Sequence, residues 1–415
     1  MHVRRCAVAW LEPREVSVFQ LDDLLAGGTG VVSRLAWFAH APHLPEAIEV
    51  AAAHVPVLGA LGAIDWVERA SLDARVGQEA VDALLAAGLL LPRAASDADA
   101  RQDEDFRAQG WYAPAAVAHM AGRWEGIDGP GSTAEQDLDS NEGLLRQHGL
   151  PPPLQPPMMS AVAGAAPAIP LPRVAQDGFD ALLDARATCR NFDAGAEVPL
   201  ASFAQLMARV FGARGIGRPA PGFDVIKRTS PSGGALHPTD CWLILQRVEG
   251  IAPGLYRYRI ETHALEAVVA NIAPPQPGDV GVRARQHEAT RPWTRQELRA
   301  FARIAVAGQE FFADAPVMCV LAPNFQRNFW KYRNHAKAYR VCVLDVGHLS
   351  QTLQLCATQA GFGPFVTGAI NEVDLERAFG MTGYRQSPLV VCGFGKRAAT
   401  LVESEFDPNR LIWPR

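Results

Sequence analysis

Eight prolines fall within the 22 residues from Pro151 to Pro172. Each removes an amide donor and fixes φ near about −65°, so no helix or paired strand can run through them. The stretch over 151–173 reads as an extended linker. It divides the 415-residue chain into regions 1–150 and 174–415, both ordinary domain sizes. Hydrophobic residues make up 48% and charged residues 20%, a balance that suits compact domains and not disorder. A formal charge of −5 gives no reason to expect a nucleic-acid partner. No apolar run reaches the roughly 18–20 residues of a membrane span. The first dozen residues hold too short an apolar stretch for a secretory signal, so a cytoplasmic protein is expected.

Seven cysteines are scattered, none in a C-x-x-C pair. Neither a disulfide framework nor a metal site is expected. Asp137-Leu-Asp-Ser-Asn-Glu-Gly143 is not a calcium loop: its glycine falls one place late, and His148 stands where the last carboxylate belongs.

The 1–150 region reads as mostly helical. Val81, Leu84 and Leu85 follow a helical stripe that Gly88 is placed to end, before the apolar Leu89-Leu-Leu91. Helix, helix, glycine, strand is the order of a winged-helix module, and a small helical bundle is the other reading. Such a module binds DNA or a peptide strand. Glu79 and Asp82 on the second helix disfavour DNA. The 174–415 region alternates helices and strands, which makes it α+β. Cys241–Val248, Pro316–Leu321 and Pro388–Cys392 are buried-strand candidates, and Gly254–Ile260 with Leu265–Val269 forms a hairpin. Val346, Leu349, Leu353, Cys356 and Ala360 repeat at helical steps and stop at Gly361.

Three stretches could carry chemistry. Arg186-Ala-Thr-Cys-Arg190 offers two guanidinium forks around a hydroxyl, a set that suits a phosphate. Pro231-Ser-Gly-Gly234 lets backbone amides approach a flat ligand that side chains would obstruct. Between Asp314 and Asp345 there is no acid, yet Arg327, Lys331, Arg333, Lys337 and Arg340 interleave with Phe325, Phe329, Trp330, Tyr332 and Tyr339. A solvated helix face would carry acids as well. This stretch could hold an anionic, aromatic ligand. Gly212-Ala-Arg-Gly-Ile-Gly217 closes a helix and reads as a loop, not a dinucleotide turn.

Arg186-x-Thr-x-Arg-x-Phe192, Pro231-Ser-Gly-Gly-Ala-Leu-His-Pro238, Gly254-Leu-Tyr-Arg-Tyr258, Asp345-Val-Gly-His-Leu-Ser-Gln351 and Gly393-Phe-Gly-Lys-Arg397 occur in the order typical of the nitroreductase superfamily. Over roughly 175–400 the chain resembles its SagB-type branch, the flavin dehydrogenases of peptide maturation. The resemblance implies an FMN-binding domain, a mixed sheet flanked by helices, usually a homodimer with the flavin at the subunit interface. It implies that Arg186, Thr188 and Arg190 hold the phosphate and ribityl chain, with Lys396 and Arg397 closing on the phosphate. Pro231, Ser232 and Gly233 would line the flavin, and Thr367 and Gly368 would approach the ring's reactive edge. Thr188 stands for the usual serine, Asp345 for a more common glutamate and Thr352 for asparagine.

Lys331-Tyr332 matches the Lys-Tyr pair of the azoline dehydrogenases. Lys331, partly desolvated, would be the base and Tyr332 would share the proton or position the ring; the plainer alternative is a basic loop. The function expected is FMN-dependent oxidation of a residue or azoline in a ribosomally made precursor peptide, alongside partner modifying enzymes. The alternatives are an NAD(P)H-dependent nitro- or quinone-reductase and a non-catalytic peptide-binding scaffold.

Overall fold

A computed structural model describes residues 1–94, 96–129, 141–152, 169–285 and 291–413. Most of the proline-rich linker, 153–168, and the start of the Asp137–Gly143 segment lie outside the described residues.

The N-terminal part opens with β1 (His2–Arg5), β2 (Trp10–Phe19), α1 (Leu21–Leu25), β3 (Val31–His40) and β4 (Ile48–Val50). Then come α2 (Val55–Ala60), β5 (Val67–Glu68), α3 (Arg69–Val76), α4 (Gln78–Ala86) and β6 (Leu90–Pro92). The expected helix-helix-glycine-strand order is α3, α4, Gly88 and β6. Gly88 has φ +66°, a conformation that glycine adopts without a Cβ penalty, and it ends α4. Strands order as β5-β1-β6, and Val3, Leu72, Val81, Leu84 and Leu90 pack between sheet and helices. Helices do not fill the region alone, because β2, β3 and β4 form a second antiparallel sheet. Next come α5 (Ala98–Gln109), α6 (Ala113–Ala121) and α7 (Asn141–His148).

The C-terminal part contains α8 (Gly178–Ala185), α9 (Leu200–Val210), β7 (Gly215–Ala220), β8 (Phe223–Lys227), β9 (Thr239–Leu245), β10 (Gly254–Arg259) and β11 (Ala264–Val268). These are followed by α10 (Arg295–Ala305), α11 (Glu310–Ala313), β12 (Val317–Pro323), α12 (Phe325–Lys331), α13 (Ala338–Gln359), β13 (Gly363–Thr367), α14 (Glu372–Phe379) and β14 (Val390–Gly395). Six strands order as β11-β10-β9-β12-β14-β13. All five ladders are antiparallel, so the sheet is not the mixed one expected. Short reversing turns join β9 to β10 and β10 to β11, and each leaves its neighbour antiparallel. Side-chain alternation gives the sheet two apolar faces. Leu243, Cys319, Leu321 and Phe394 meet α9 and α13, while Ile244, Met318 and Val320 meet α10 and α14. The glycine-rich 212–217 segment is no simple loop: it leads into β7, one arm of an exposed hairpin with β8.

The two parts are bound together around Trp111. Its ring lies 4.7 Å from Phe325 and 4.8 Å from Phe329 of α12, and its indole N–H donates to the Tyr384 carbonyl at 2.9 Å.

Candidate active site

Two groups of expected site residues assemble at separate places. The first lies beside the ends of β13 and β14. The 186–192 segment runs along them: the Cys189 amide donates to the Pro364 carbonyl at 2.7 Å, and Phe192 bridges to Arg397. Arg397 donates to the Ala187 carbonyl at 2.8 Å, and Arg186 reaches Gln354 of α13 at 3.3 Å. Gly363 is needed there, since a Cβ would stand 2.6 Å from Cys189 Sγ and 2.8 Å from Arg397 Cγ. Thr188 is half-buried, and exposed Lys396 lies 3.6 Å from Asp193.

The C-terminal segment adds an internal anion that nothing in the sequence announced. Glu405 accepts the Arg190 amide at 2.6 Å, the Asn191 amide at 3.1 Å and the Asn191 side-chain amide at 2.9 Å. It also accepts the Trp413 indole N–H at 2.9 Å and pairs with the Arg397 guanidinium. Burial opposes its charge, but the donors from Trp413, Arg190, Asn191 and Arg397 outweigh it and hold the carboxyl below its ordinary range. Arg190 also donates to the Ser404 carbonyl at 2.6 Å, while its Nε is buried with no partner among the described residues.

Thr367 and Gly368 sit at the other end of β13. Four residues separate Gly363 from Thr367, about 14 Å of strand. Thr367 donates to Gln309 at 2.8 Å, and Gly368 is exposed. The cationic cluster and the Thr367–Gly368 edge thus mark two ends of one sheet margin.

The second group lies where α12 meets the start of α13. Pro231, Ser232 and Gly233 form a turn against α13, with Ser232 donating to Asp345 at 2.5 Å. A Cβ at Gly233 would stand 2.4 Å from Val341 Cγ1. Gly234 has φ +65°, and a Cβ there would stand 2.7 Å from Lys331 Nζ and 3.0 Å from Tyr332 Oη. The Lys-Tyr pair therefore lies directly against the glycine turn, although 97 residues separate Gly234 from Lys331. Lys331 is solvent-exposed in the single chain, so the partial desolvation expected of it is not supplied by this chain's own side chains. Trp330 beside it is exposed and packs 5.0 Å from Phe223 of β8. Of the basic stretch, Arg327 is tied to backbone carbonyls of Leu236 and Asp224. Among the described residues no group of three or more His, Cys, Asp or Glu could hold a metal ion.

A nitroreductase family model matches residues 183–396, over half of the chain. The chain belongs to the nitroreductase family. Members are oxidoreductases and generally bind FMN. This nitroreductase is 25% identical over 170 residues to a protein of Methanocaldococcus jannaschii named as a nitroreductase (MJ1384), covering 41% of this chain and 71% of that one. It is 24% identical over 166 residues to the trifolitoxin-processing protein TfxB of Rhizobium leguminosarum bv. trifolii. That match covers 40% of this chain and only 38% of TfxB. Among solved structures, it is similar to a chain of the Escherichia coli microcin synthetase McbBCD complex with truncated pro-MccB17 bound. There the TM-score is 0.47 at 19% identity, covering 71% of this chain and 94% of that one. A nitroreductase structure from Ralstonia eutropha gives 0.38 at 21%, covering 56% and 89%.

The residues present fit an FMN. The glycine turn carries no side chain at Gly233 and Gly234, whose Cβ positions are crowded by Val341 and by Lys331 with Tyr332, and Arg186, Thr188 and Lys396 bring donors for an anion. Glu405 already pairs with the Arg397 guanidinium but takes only the backbone amide of Arg190, whose buried side-chain Nε has no partner among the described residues.

Proposed function

We propose that this nitroreductase is an FMN-dependent, SagB-type dehydrogenase that oxidises a residue or azoline ring in a ribosomally made precursor peptide. The observation that carries this reading is the seat of Lys331 and Tyr332 against Gly234 of the Pro-Ser-Gly-Gly turn. The likeness to a protein named for trifolitoxin processing supports the peptide substrate. Arg186, Thr188, Arg190, Lys396 and Arg397 would hold the phosphate end, and Pro231, Ser232 and Gly233 the flat ring. Thr367 and Gly368 would approach its reactive edge. Bound FMN supplies a two-electron acceptor for hydride.

Aromatising an azoline removes a hydride and a carbon-bound proton. Lys331 Nζ takes the proton, and Tyr332 Oη beside it orients the ring or shares that proton. Molecular oxygen is the final electron acceptor in this scheme. A homodimer with the flavin at its interface belongs to the same proposal: Val343 and Leu344 stand exposed on α13, and a second copy would bury them and dry the surroundings of Lys331. The N-terminal sheet with α3 and α4 would bind the precursor's leader, and partner modifying enzymes would form the substrate ring. Seven free cysteines fit a reducing, cytoplasmic setting. Among the described residues no helix is long and apolar enough to cross a membrane.

The exposure of Lys331 favours one other reading, an NAD(P)H-dependent nitro- or quinone-reductase that needs no such base. The deciding experiment is a visible absorption spectrum of the purified protein followed by anaerobic NADPH. A flavin band that stays oxidised supports the peptide dehydrogenase, and rapid bleaching supports the reductase. No flavin band after added FMN refutes both and leaves a peptide-binding scaffold.

A further inference from the structure

The turn that carries Pro231, Ser232 and Gly233 has little side-chain bulk to hold its own shape. Gly234, Ala235 and His237 all have positive φ, at +65°, +56° and +44°. Non-glycine residues enter that region only where surrounding contacts over-determine the backbone. Helix α13 supplies those contacts from one face, at steps of three and four residues. Asp345 accepts the Ser232 hydroxyl at 2.5 Å, and the Gly233 amide beside it helps to favour the charged carboxylate. His348 Nδ1 lies 3.3 Å from the Pro231 carbonyl. Thr352 Oγ1 lies 2.7 Å from Ser230 Oγ. Ser232 Oγ in turn accepts the His237 amide at 2.9 Å, which closes the turn on itself.

Asp345 is the part of this arrangement that stability alone does not explain. It is 4% exposed. Burying a carboxylate is costly, and an apolar residue of similar size would serve packing as well or better. Arg228, just ahead of the turn in the chain, is itself 1% exposed and keeps Nε and Nη2 without partners among the described residues. One of its other nitrogens donates to the Thr239 carbonyl at 3.2 Å. A buried carboxyl, which that burial pushes above its ordinary range, and a buried guanidinium thus accompany the turn against which Lys331 rests.

We propose that Asp345 is a positioning residue, which through Ser232 and Gly233 holds the Pro-Ser-Gly-Gly turn in the shape that lines the flavin and seats Lys331. The inference rests on the FMN reading above. Asn at 345 keeps the volume and removes the charge, so the Ser232 hydroxyl loses its charged acceptor. A hydrogen bond to a charged group is worth a change of about tenfold or more in an equilibrium constant.

The test is FMN titration of the full chain, followed by flavin fluorescence quenching, with visible circular dichroism at saturation. Asp345→Asn should weaken FMN binding about tenfold and alter the visible dichroism of the flavin that still binds, a signal that loss of general stability does not move. An affinity within twofold of wild type with unchanged dichroism overturns the proposal. Should Asp345→Asn not fold, Thr352→Val, nearly isosteric, tests the same face: a loss of about threefold is expected, and none overturns it. Wild-type protein that binds no FMN sinks the flavin reading and this inference together. Wild-type binding with an indifferent Asp345→Asn sinks this inference alone.

Discussion

Glu405→Ala removes the acceptor on which the C-terminal segment and the Arg186–Phe192 segment converge. The Glu405 side chain has no solvent exposure, and its oxygens meet donors from Arg190, Asn191, Trp413 and Arg397. Alanine leaves Arg397 and two backbone amides facing an empty, dry site. Removing one partner of a buried ion pair costs about 3–5 kcal/mol, mostly the penalty of the charge left behind. The separate hydrogen bonds would sum to more, but they share one carboxylate and are not additive. About 4 kcal/mol is therefore expected at pH 7. Glu405→Gln keeps the volume but turns an NH2 toward donors, and should cost about 2 kcal/mol. The sign with pH follows from the lowered carboxyl pKa. A depressed acid contributes stability above its unfolded value and loses it as pH falls through the folded value. The gap between wild type and Glu405→Ala should therefore shrink in acid. Equilibrium urea unfolding at pH 7 and pH 4, read by tryptophan fluorescence, measures this. A midpoint drop of about 1 M or more is expected at pH 7. A loss under about 1 kcal/mol, or a gap that does not narrow in acid, refutes the argument.

Other perturbations test the remaining parts of the structure. Lys331→Ala should lower turnover on a peptide substrate by about 10²–10⁴ while the flavin band persists, and stopped-flow with single-turnover analysis reads it. Gly234→Ala puts a Cβ against Lys331 Nζ and Tyr332 Oη at positive φ. It should cost about 1–2 kcal/mol in thermal melts and displace the flexible lysine tip, so activity falls more than stability does. Trp111→Ala should destabilise by about 3–5 kcal/mol, because its ring fills the seam between α6 and α12. Glu372, raised to about 7 by burial, accepts the Trp124 amide at 2.8 Å. The folded chain then holds that proton more tightly than the unfolded one. Its contribution is largest in acid and fades by about 2–3 kcal/mol as pH rises from 4.5 to 7. Glu372→Gln should flatten that slope and melt above wild type at pH 8.

The C-terminal core was legible because burial there is nearly complete. Strands β9 and β12 are apolar runs between turn residues, and the repeat at Val346, Leu349 and Leu353 marks one buried face of α13. Ala338 and Cys342 carry that buried face back to the first turn of α13, while Arg340, Val343 and Leu344 lie exposed on the other side. Helix α5 gave no such signal. Its inward face carries Asp103, which is buried and accepts from Arg4 at 3.1 Å, Arg107 at 2.7 Å and the Ala7 amide at 2.6 Å. A hydrophobicity pattern cannot find a face built on an ion pair. The ten-residue arms of β2 and β3 escaped for the opposite reason, being exposed along most of their length with Phe19, Val31 and Leu35 uncovered. At the site, the arginines and the glycine turn were visible as local motifs. Glu405 was not: an ordinary glutamate 215 residues from Arg190 becomes the cluster's anion only once the C-terminal segment folds back.

The path from the N-terminal part to Lys331 limits how the two halves can be separated. Helix α12 ends at Lys331, and its inner face, Phe325 and Phe329, rests on Trp111. Trp111 in turn stacks on His119, whose ring nitrogens lie 3.1 Å from the Tyr339 hydroxyl and from the Gly383 carbonyl. The Asn334 amide, three residues past Lys331, donates to Gly110 at 2.9 Å. Residues 98–121 therefore serve as a wall behind α12 and Lys331, whatever the sheet β5-β1-β6 binds. Cutting at the proline-rich linker would strip that wall from α12 and loosen Lys331, so lost activity in such a truncation would say nothing about peptide capture. An experiment aimed at leader binding has to keep α5 and α6, and change only the surface of the sheet and of α3 and α4.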